Sequence, residues 1–138
     1  MGWLFWALLS ALFAGLTAVL AKAGVRDVEP NLATAIRTTV VLVLAWTVAL
    51  AGKVPPLTEI PRRAWLFLVL SGLATGASWL CYFRALALGE ASKVAPVDKL
   101  SVVAAMILAA LFLGERITWQ QGAGAALIVA GSFIIASS

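Results

Sequence analysis

The sequence contains no histidine and one cysteine, and only 12% of its residues are charged. A single cysteine cannot close a disulfide within the chain, and no cysteine–histidine cluster is available to hold a metal ion. We expect Cys81 to be a small buried apolar residue. No pair of a nucleophile with a base and no phosphate-binding loop is present. We therefore expect neither an enzyme nor a bound cofactor.

Polar residues are too few for a water-soluble domain. The chain of 138 residues is 63% hydrophobic, whereas soluble domains are about 45–50% apolar and about 25% charged. The composition indicates a lipid bilayer as solvent. The net charge of +4 does not indicate nucleic acid as a partner, because the lysines and arginines are dispersed at the flanks of apolar runs, as in membrane proteins.

Five apolar runs are long enough to cross a bilayer as helices, which takes roughly 20 residues each. Backbone groups in lipid must be hydrogen-bonded within the protein, so a helix is the expected structure of each run. We predict an all-α integral membrane fold with one transmembrane domain over residues 1–138. The predicted spans are residues 3–23, 32–51, 64–88, 92–113 and 119–136.

Several span ends carry helix signals. Thr118 and Gln121 have the spacing of a capping box, in which two side chains satisfy free amides at a helix start. Gly89 and Gly114 each follow an apolar run, where a helix commonly ends in a left-handed residue. We therefore predict left-handed glycines after the third and fourth spans.

Two spans contain small residues at helical spacing. Gly72 and Gly76 lie in the third span, and Gly122, Ala126 and Ala130 lie in the fifth. Small residues let helices approach closely in lipid. Two interpretations stay open, namely packing within one chain and packing of the fifth span against a second chain.

The positive charges are nearly balanced between the two sides of the membrane. Five spans place the termini on opposite sides, and each side receives four bases once the deeper Arg37 and Lys99 are set apart. Orientation normally follows an excess of lysine and arginine in cytoplasmic loops. We hypothesise dual topology and an antiparallel homodimer; the alternative is one orientation with the N-terminal side in the cytoplasm. The bases of the N-terminal side are Lys53, Arg62, Arg63 and Arg116, and those of the other side are Lys22, Arg26, Arg84 and Lys93.

Three charged residues inside the spans lie at similar depth from the side opposite the N-terminus. Arg37 lies about 8 Å inside the second span, Arg84 about 6 Å inside the third, and Asp98 about 9 Å inside the fourth if that helix starts near Ser92. Charges at such depth usually line a cavity or substrate pathway. We predict that Asp98, Lys99, Arg37 and Arg84 line such a pathway, together with the aromatic residues Trp79 and Tyr82.

The partner of Asp98 depends on helix geometry. Adjacent residues of a helix point in different directions, so we do not expect Asp98 to pair with Lys99. Arg37 is the preferred partner and Arg84 the second. If the fourth helix starts instead at Pro96, Asp98 lies in the first turn, complements the helix dipole, and Lys99 reaches toward the membrane surface.

The chain also resembles a known family. The motif ALALG closes the third span, LGE closes the fourth, and the last span ends in GAALIVAGSFII. An arginine occurs early in the second span, in NLATAIRTTVVL. With these motifs the whole chain resembles the EamA domain of the drug/metabolite transporter superfamily.

The resemblance implies a transport function. Many EamA proteins carry two inverted copies of five spans, whereas this chain carries one, so the resemblance implies that a second protomer supplies the missing half. Transporters often bind substrate between inverted repeats near the bilayer midplane. We expect a small-metabolite transporter of the inner (plasma) membrane that works by alternating access.

Asp98 is the only acid at membrane depth and is the candidate for proton coupling. The surplus of bases around it favours an anionic or zwitterionic small-molecule substrate. The first span lacks the acid that the related small multidrug resistance proteins use to export cations. Two alternatives stay open, namely a dual-topology anion channel and a non-transporting accessory membrane subunit.

Overall fold

Five helices of the computed structural model are long and apolar enough to cross a membrane, which confirms the predicted all-α, five-span fold. The structure describes residues 2–52, 54 and 56–138, so Lys53 lies outside the described residues. The helices are α1 (Trp3–Gly24), α2 (Pro30–Ala51), α3 (Arg62–Leu88), α4 (Ala91–Asp98), α5 (Leu100–Leu108) and α6 (Trp119–Ser137). A short 3-10 helix occupies Leu57–Glu59, and a π-helical turn follows α5 at Ala109–Leu113. The fourth span, Ala91–Leu113, is thus made of α4, α5 and the π turn.

The chain divides into two compact units, which are described separately. Unit 1 consists of Met1–Lys22 and Leu88–Ser138, and unit 2 consists of Ala23–Ala87. In unit 1, both α4 and α5 pack against α6. Unit 2 contains α2 and most of α3.

Local capping defines two helix starts. The side chain of Glu29 accepts a hydrogen bond of 2.8 Å from the backbone N–H of Leu32, and Pro30 occupies the first turn of α2. Helix α2 therefore begins two residues before the predicted start at Leu32, because proline fits a first turn that needs no N–H. The predicted capping box of Thr118 and Gln121 is present at the start of α6.

The two predicted left-handed glycines differ in the structure. Gly114 has φ +69°, as predicted for the end of the fourth span. The prediction for Gly89 is wrong, because Gly114 is the only described residue with positive φ. The Gly89 carbonyl instead accepts a hydrogen bond of 2.7 Å from Lys22 Nζ. A side chain thus satisfies the carbonyl after α3 without a left-handed turn.

The fourth span starts near Ser92 rather than at Pro96. The backbone carbonyl of Glu90 accepts the N–H groups of Lys93 and Val94, so α4 begins at Ala91. Pro96 consequently lies inside α4. The alternative in which Pro96 opens the helix, with Asp98 in the first turn, is wrong.

Few side chains are buried within the chain, as expected for helices that face lipid. The buried residues of unit 1 are Ala18, Ala21 and Ser132, and those of unit 2 are Val25, Thr34, Phe83 and Leu86. Cys81 is exposed, which contradicts the prediction that it is buried. The side chains of α3 that are buried are those of Phe83 and Leu86, so the packed face of this helix does not include Cys81.

Candidate functional site

The fourth span is interrupted between α4 and α5, within unit 1. Lys99 separates the two helices, with φ −68° and ψ −10°. Pro96 lies three residues before it and has no N–H to donate to the preceding turn, a common cause of a break in a helix. The Pro96 carbonyl accepts the N–H of Lys99 at 3.1 Å, which tightens the chain at this point.

Ser132 of α6 supports the interruption. Its side chain is buried, with 5% exposure, and its Oγ donates a hydrogen bond of 2.9 Å to the Pro96 carbonyl. A hydroxyl that inserts into the hydrogen-bond ladder of a helix stabilises a bend. The sequence pattern did not single out Ser132, although a hydroxyl in an otherwise apolar, glycine-rich span is a usable signal for contact between membrane helices.

The only acid inside the spans lies at this interruption. Asp98 is the last residue of α4, about 10 Å along it from Ala91, and its Oδ2 lies 3.6 Å from Lys99 Nζ. The expectation that these neighbours do not pair is wrong. Lys99 forms a one-residue break between α4 and α5 with torsion angles still in the right-handed helical region, and its long flexible side chain can reach back to Asp98.

In unit 2, Arg37 of α2 lies against aromatic rings of α3. Its guanidinium carbon is 4.3 Å from the centroid of Trp79 and 5.4 Å from that of Phe83. Such distances give an attractive cation–π interaction. Trp79 lies nine residues before Leu88, the last residue of α3, or about 13 Å along that helix. The sequence pattern did not single out Phe83, because a phenylalanine in an apolar span resembles its neighbours.

No carboxylate accompanies Arg37 on its own helix or on α3. Neither α2 nor α3 contains an aspartate or glutamate. Within the described residues, Arg37 has no hydrogen bond or ion pair, so ring faces are its contacts. The predicted pairing of Arg37 with Asp98 stays a prediction, since the two residues belong to different units.

The remaining predicted pathway residues lie on the last turns of α3. Tyr82 is half-buried and its ring meets that of Phe83 edge-on, with centroids 6.5 Å apart. Arg84 is exposed and forms no hydrogen bond or ion pair with any residue in the described ranges. Arg37 and Arg84 thus differ sharply in surroundings.

The predicted packing glycines are open in the structure. A Cβ atom added at Gly72, Gly76 or Gly122 would meet no neighbouring atom within 4 Å. Ala126 and Ala130, on the same helix as Gly122, are exposed. Packing within one chain therefore finds no support at these three glycines, and packing against a second chain stays a prediction.

Comparison with known families decides the identity. Residues 1–137 match the EamA-like transporter family. The chain belongs to this family. The EamA resemblance carried by the helix-end motifs is thereby confirmed.

Two relatives carry transporter names. The chain is 57% identical over 135 residues to a protein of a Sinorhizobium species named "Uncharacterized transporter in cobO 3'region", with 97% of this chain and 96% of the relative aligned. It is 36% identical over 84 residues to human solute carrier family 35 member E4, with 61% of this chain and 24% of the human protein aligned. No solved structure matches the chain. The protein is a multi-pass membrane transporter by family.

The Asp98–Lys99 pair and Arg37 differ in net charge and in the backbone around them. The pair at the interruption of the fourth span is neutral as a whole and lies where the backbone is not regular. The guanidinium of Arg37 keeps its positive charge and lies against regular helices.

Proposed function

We propose that this EamA-like protein transports a small metabolite across the inner (plasma) membrane by alternating access, as an antiparallel homodimer. The observation that carries the proposal is the interruption of the fourth span at Lys99, where Asp98 pairs with Lys99. Interrupted helices are typical of transporter binding sites. Irregular backbone at membrane depth is tolerated only where it is buried in protein or lines a water-filled cavity.

The surroundings of the charged pair support a pathway rather than a structural ion pair. The side chains of Asp98 and Lys99 are 38% and 54% exposed within one chain. A charge exposed to lipid is costly, so we infer that these side chains face water or a second protomer. Asp98 can then take up and release a proton, while Lys99, Arg37 and Arg84 give the pathway a positive character. An anionic or zwitterionic substrate fits that surplus.

Two observations support a homodimer. The glycines at 72, 76 and 122 have open space beside them, which allows another helix to approach closely. The positive charges are balanced between the two sides of the membrane, which permits both orientations. A single-copy chain with both orientations can form the inverted pair that ten-span proteins build within one chain.

The decisive experiment for the transport function is uptake by proteoliposomes. Purified protein is reconstituted, a defined mixture of organic acids, amino acids and sugar phosphates is added outside, and the contents are measured by mass spectrometry. We expect saturable uptake of at least one compound, and at least tenfold slower proton-driven uptake by Asp98→Asn. Asp27→Asn is the matched control, since Asp27 is exposed in the loop before α2, and it should transport like wild type.

The outcomes separate the alternatives. Uptake unchanged in Asp98→Asn removes Asp98 from the mechanism. Single-channel currents in planar bilayers would show an anion channel instead of a transporter. Entry no faster than into protein-free liposomes, for every compound of the mixture, would support the accessory-subunit alternative.

The topology is tested separately. Reporter domains that are active only in the cytoplasm or only outside it are fused to the C-terminus. Dual topology predicts activity of both reporters at comparable levels. Activity on one side alone excludes the antiparallel homodimer and leaves the fixed orientation.

A further inference from the structure

Arg37 carries a positive charge inside a span, and the chain surrounds it with rings instead of acids. The guanidinium lies over the Trp79 ring at 4.3 Å and near the Phe83 ring at 5.4 Å. Neither α2 nor α3 supplies a carboxylate. The acid of the fourth span, Asp98, is itself within 3.6 Å of Lys99. No acid on either of the two helices that contact Arg37 therefore neutralises its charge.

The contacts of Arg37 leave its hydrogen-bond donors available. A guanidinium carries five N–H donors in one plane, and rings contact its faces. No described residue accepts a hydrogen bond from Arg37. The hydroxyls on the neighbouring turns of α2 donate to their own helix, Thr34 to the Pro30 carbonyl and Thr38 to the Thr34 carbonyl. A fixed fork of unused donors is the geometry that recognises a planar oxyanion in a bidentate manner.

The rings beside Arg37 also indicate which uncharged group would accompany an anion bound there. Trp79 and Tyr82 are half-buried rather than fully packed, so both offer ring surface outside the protein core. Aromatic side chains around a few placed polar groups are typical of small-molecule sites. A flat or aromatic body attached to the anionic group fits such surroundings best.

We propose that Arg37, held by Trp79 and Phe83, is the binding site for the carboxylate of an organic acid with a flat or aromatic body. The assignment rests on the proposed transport function, because it identifies this organic acid as the substrate class. The carboxylate bonds to the guanidinium fork, and the rings of Trp79 and Tyr82 contact the body. Arg37 is thus a substrate-binding residue, and Trp79 and Phe83 position it.

The test uses the full chain in nanodiscs of phosphatidylcholine. Benzoate is titrated by isothermal calorimetry, with the neutral, equally sized benzamide as the matched ligand control. We expect saturable binding of benzoate and none of benzamide. Arg37→Lys keeps the charge but loses the planar fork, so benzoate should bind at least tenfold more weakly. Arg62→Lys, at the exposed arginine that begins α3, should bind benzoate within twofold of wild type.

A second measurement needs no variant and covers the case in which Arg37→Lys does not fold. Phenylglyoxal modifies accessible arginines, and digestion with mass spectrometry resolves each modified peptide. We expect benzoate to slow modification of Arg37 at least fivefold and to leave that of the exposed Arg62 unchanged. Equal protection of both arginines, or of neither, overturns the proposal, as does equal binding of benzoate and benzamide.

An anionic lipid headgroup shares the oxyanion chemistry of a carboxylate, and a further arm separates the two sources. The labelling is repeated without benzoate in nanodiscs that contain phosphatidylglycerol. Modification of Arg37 at the same rate in both lipids supports the organic acid. If phosphatidylglycerol without benzoate protects Arg37 from modification, the assignment of the site to a substrate is overturned.

The two proposals fail in different ways. If benzoate binds at Arg37 but no compound enters proteoliposomes, the proposed transport function is wrong and the anion-binding site stands. If the wild type takes up a metabolite saturably but Arg37→Lys binds benzoate as the wild type does, the Arg37 site is wrong and the transport function stands.

Discussion

The interruption of the fourth span and the Arg37 site handle a charge in the membrane in two different ways. At the interruption, Asp98 and Lys99 are 3.6 Å apart and neutral as a pair. At Arg37, the rings of Trp79 and Phe83 cover a charge that stays positive. A cation–π contact is worth about 0.5–2 kcal/mol, against about 2.5–3.5 kcal/mol for a charge at a helix centre. The cation–π contacts thus offset only part of the free-energy cost of placing the charge of Arg37 in the membrane.

The difference separates a place suited to movement from a place suited to binding an anion. Separation of the Asp98–Lys99 pair, or protonation of Asp98, would end the attraction that holds the two side chains together, so the pair can switch between two arrangements. A positive charge held against two regular helices is fixed in place and is stabilised further when an anion arrives. We therefore infer that movement and coupling belong to the interruption and recognition belongs to Arg37. Four experiments test this division.

The largest effect is expected for Pro96→Ala. Proline inside a helix is less favourable than alanine by about 3 kcal/mol, so alanine should favour a continuous fourth helix. We expect thermal stability to rise and the turnover of metabolite uptake to fall at least tenfold, with benzoate affinity unchanged. Pro61→Ala is the control, since Pro61 precedes α3 rather than interrupting it. Full turnover in Pro96→Ala would show that the interruption is not the moving part.

The next largest effect is expected for Trp79→Leu. Loss of the closer ring removes about 1–2 kcal/mol of cation–π attraction that holds the guanidinium. Benzoate affinity should fall roughly five- to thirtyfold, since about 1.4 kcal/mol corresponds to tenfold. Trp65→Leu, on the first turn of the same helix, should leave the affinity unchanged. Equal losses in both variants would mean that the rings act on helix stability rather than on Arg37.

A smaller effect is expected from the charged pair on stability. The side chains of Asp98 and Lys99 are 38% and 54% exposed, and pairs accessible to solvent contribute about 0.2–1 kcal/mol. A double-mutant cycle with Asp98→Asn and Lys99→Gln should give a coupling energy in that range by chemical unfolding. A coupling energy near zero would show that the pair does not hold the interruption.

The smallest effect is expected for Ser132→Ala. Hydrogen bonds between membrane helices are worth about 0.6 kcal/mol on average, so the loss of the Ser132–Pro96 bond should lower thermal stability only slightly. Ser137→Ala is the matched control, because the Ser137 hydroxyl bonds within its own helix, to the Ile134 carbonyl. Identical stabilities of the two variants would remove the support that α6 gives to the interruption.

Much of the fold could be predicted because it is local. A helix in lipid satisfies its backbone within its own segment, so the apolar runs predict the five spans without knowledge of their neighbours. The capping box of Thr118 and Gln121 and the left-handed Gly114 are likewise set by residues next to each other. The same motifs at the helix ends carry the family resemblance, which the match of residues 1–137 to the EamA-like transporter family confirms.

Tertiary structure decided the partners of the charged and polar groups. Sequence spacing favoured Arg37 over Lys99 as the partner of Asp98, because a regular helix was assumed at a point where the helix is interrupted. The bond from Ser132 to Pro96 joins residues 36 apart, and the rings of Trp79 and Phe83 meet Arg37 across two helices. Such contacts depend on how each helix is rotated about its axis. An apolar run that faces lipid on most sides does not encode that rotation.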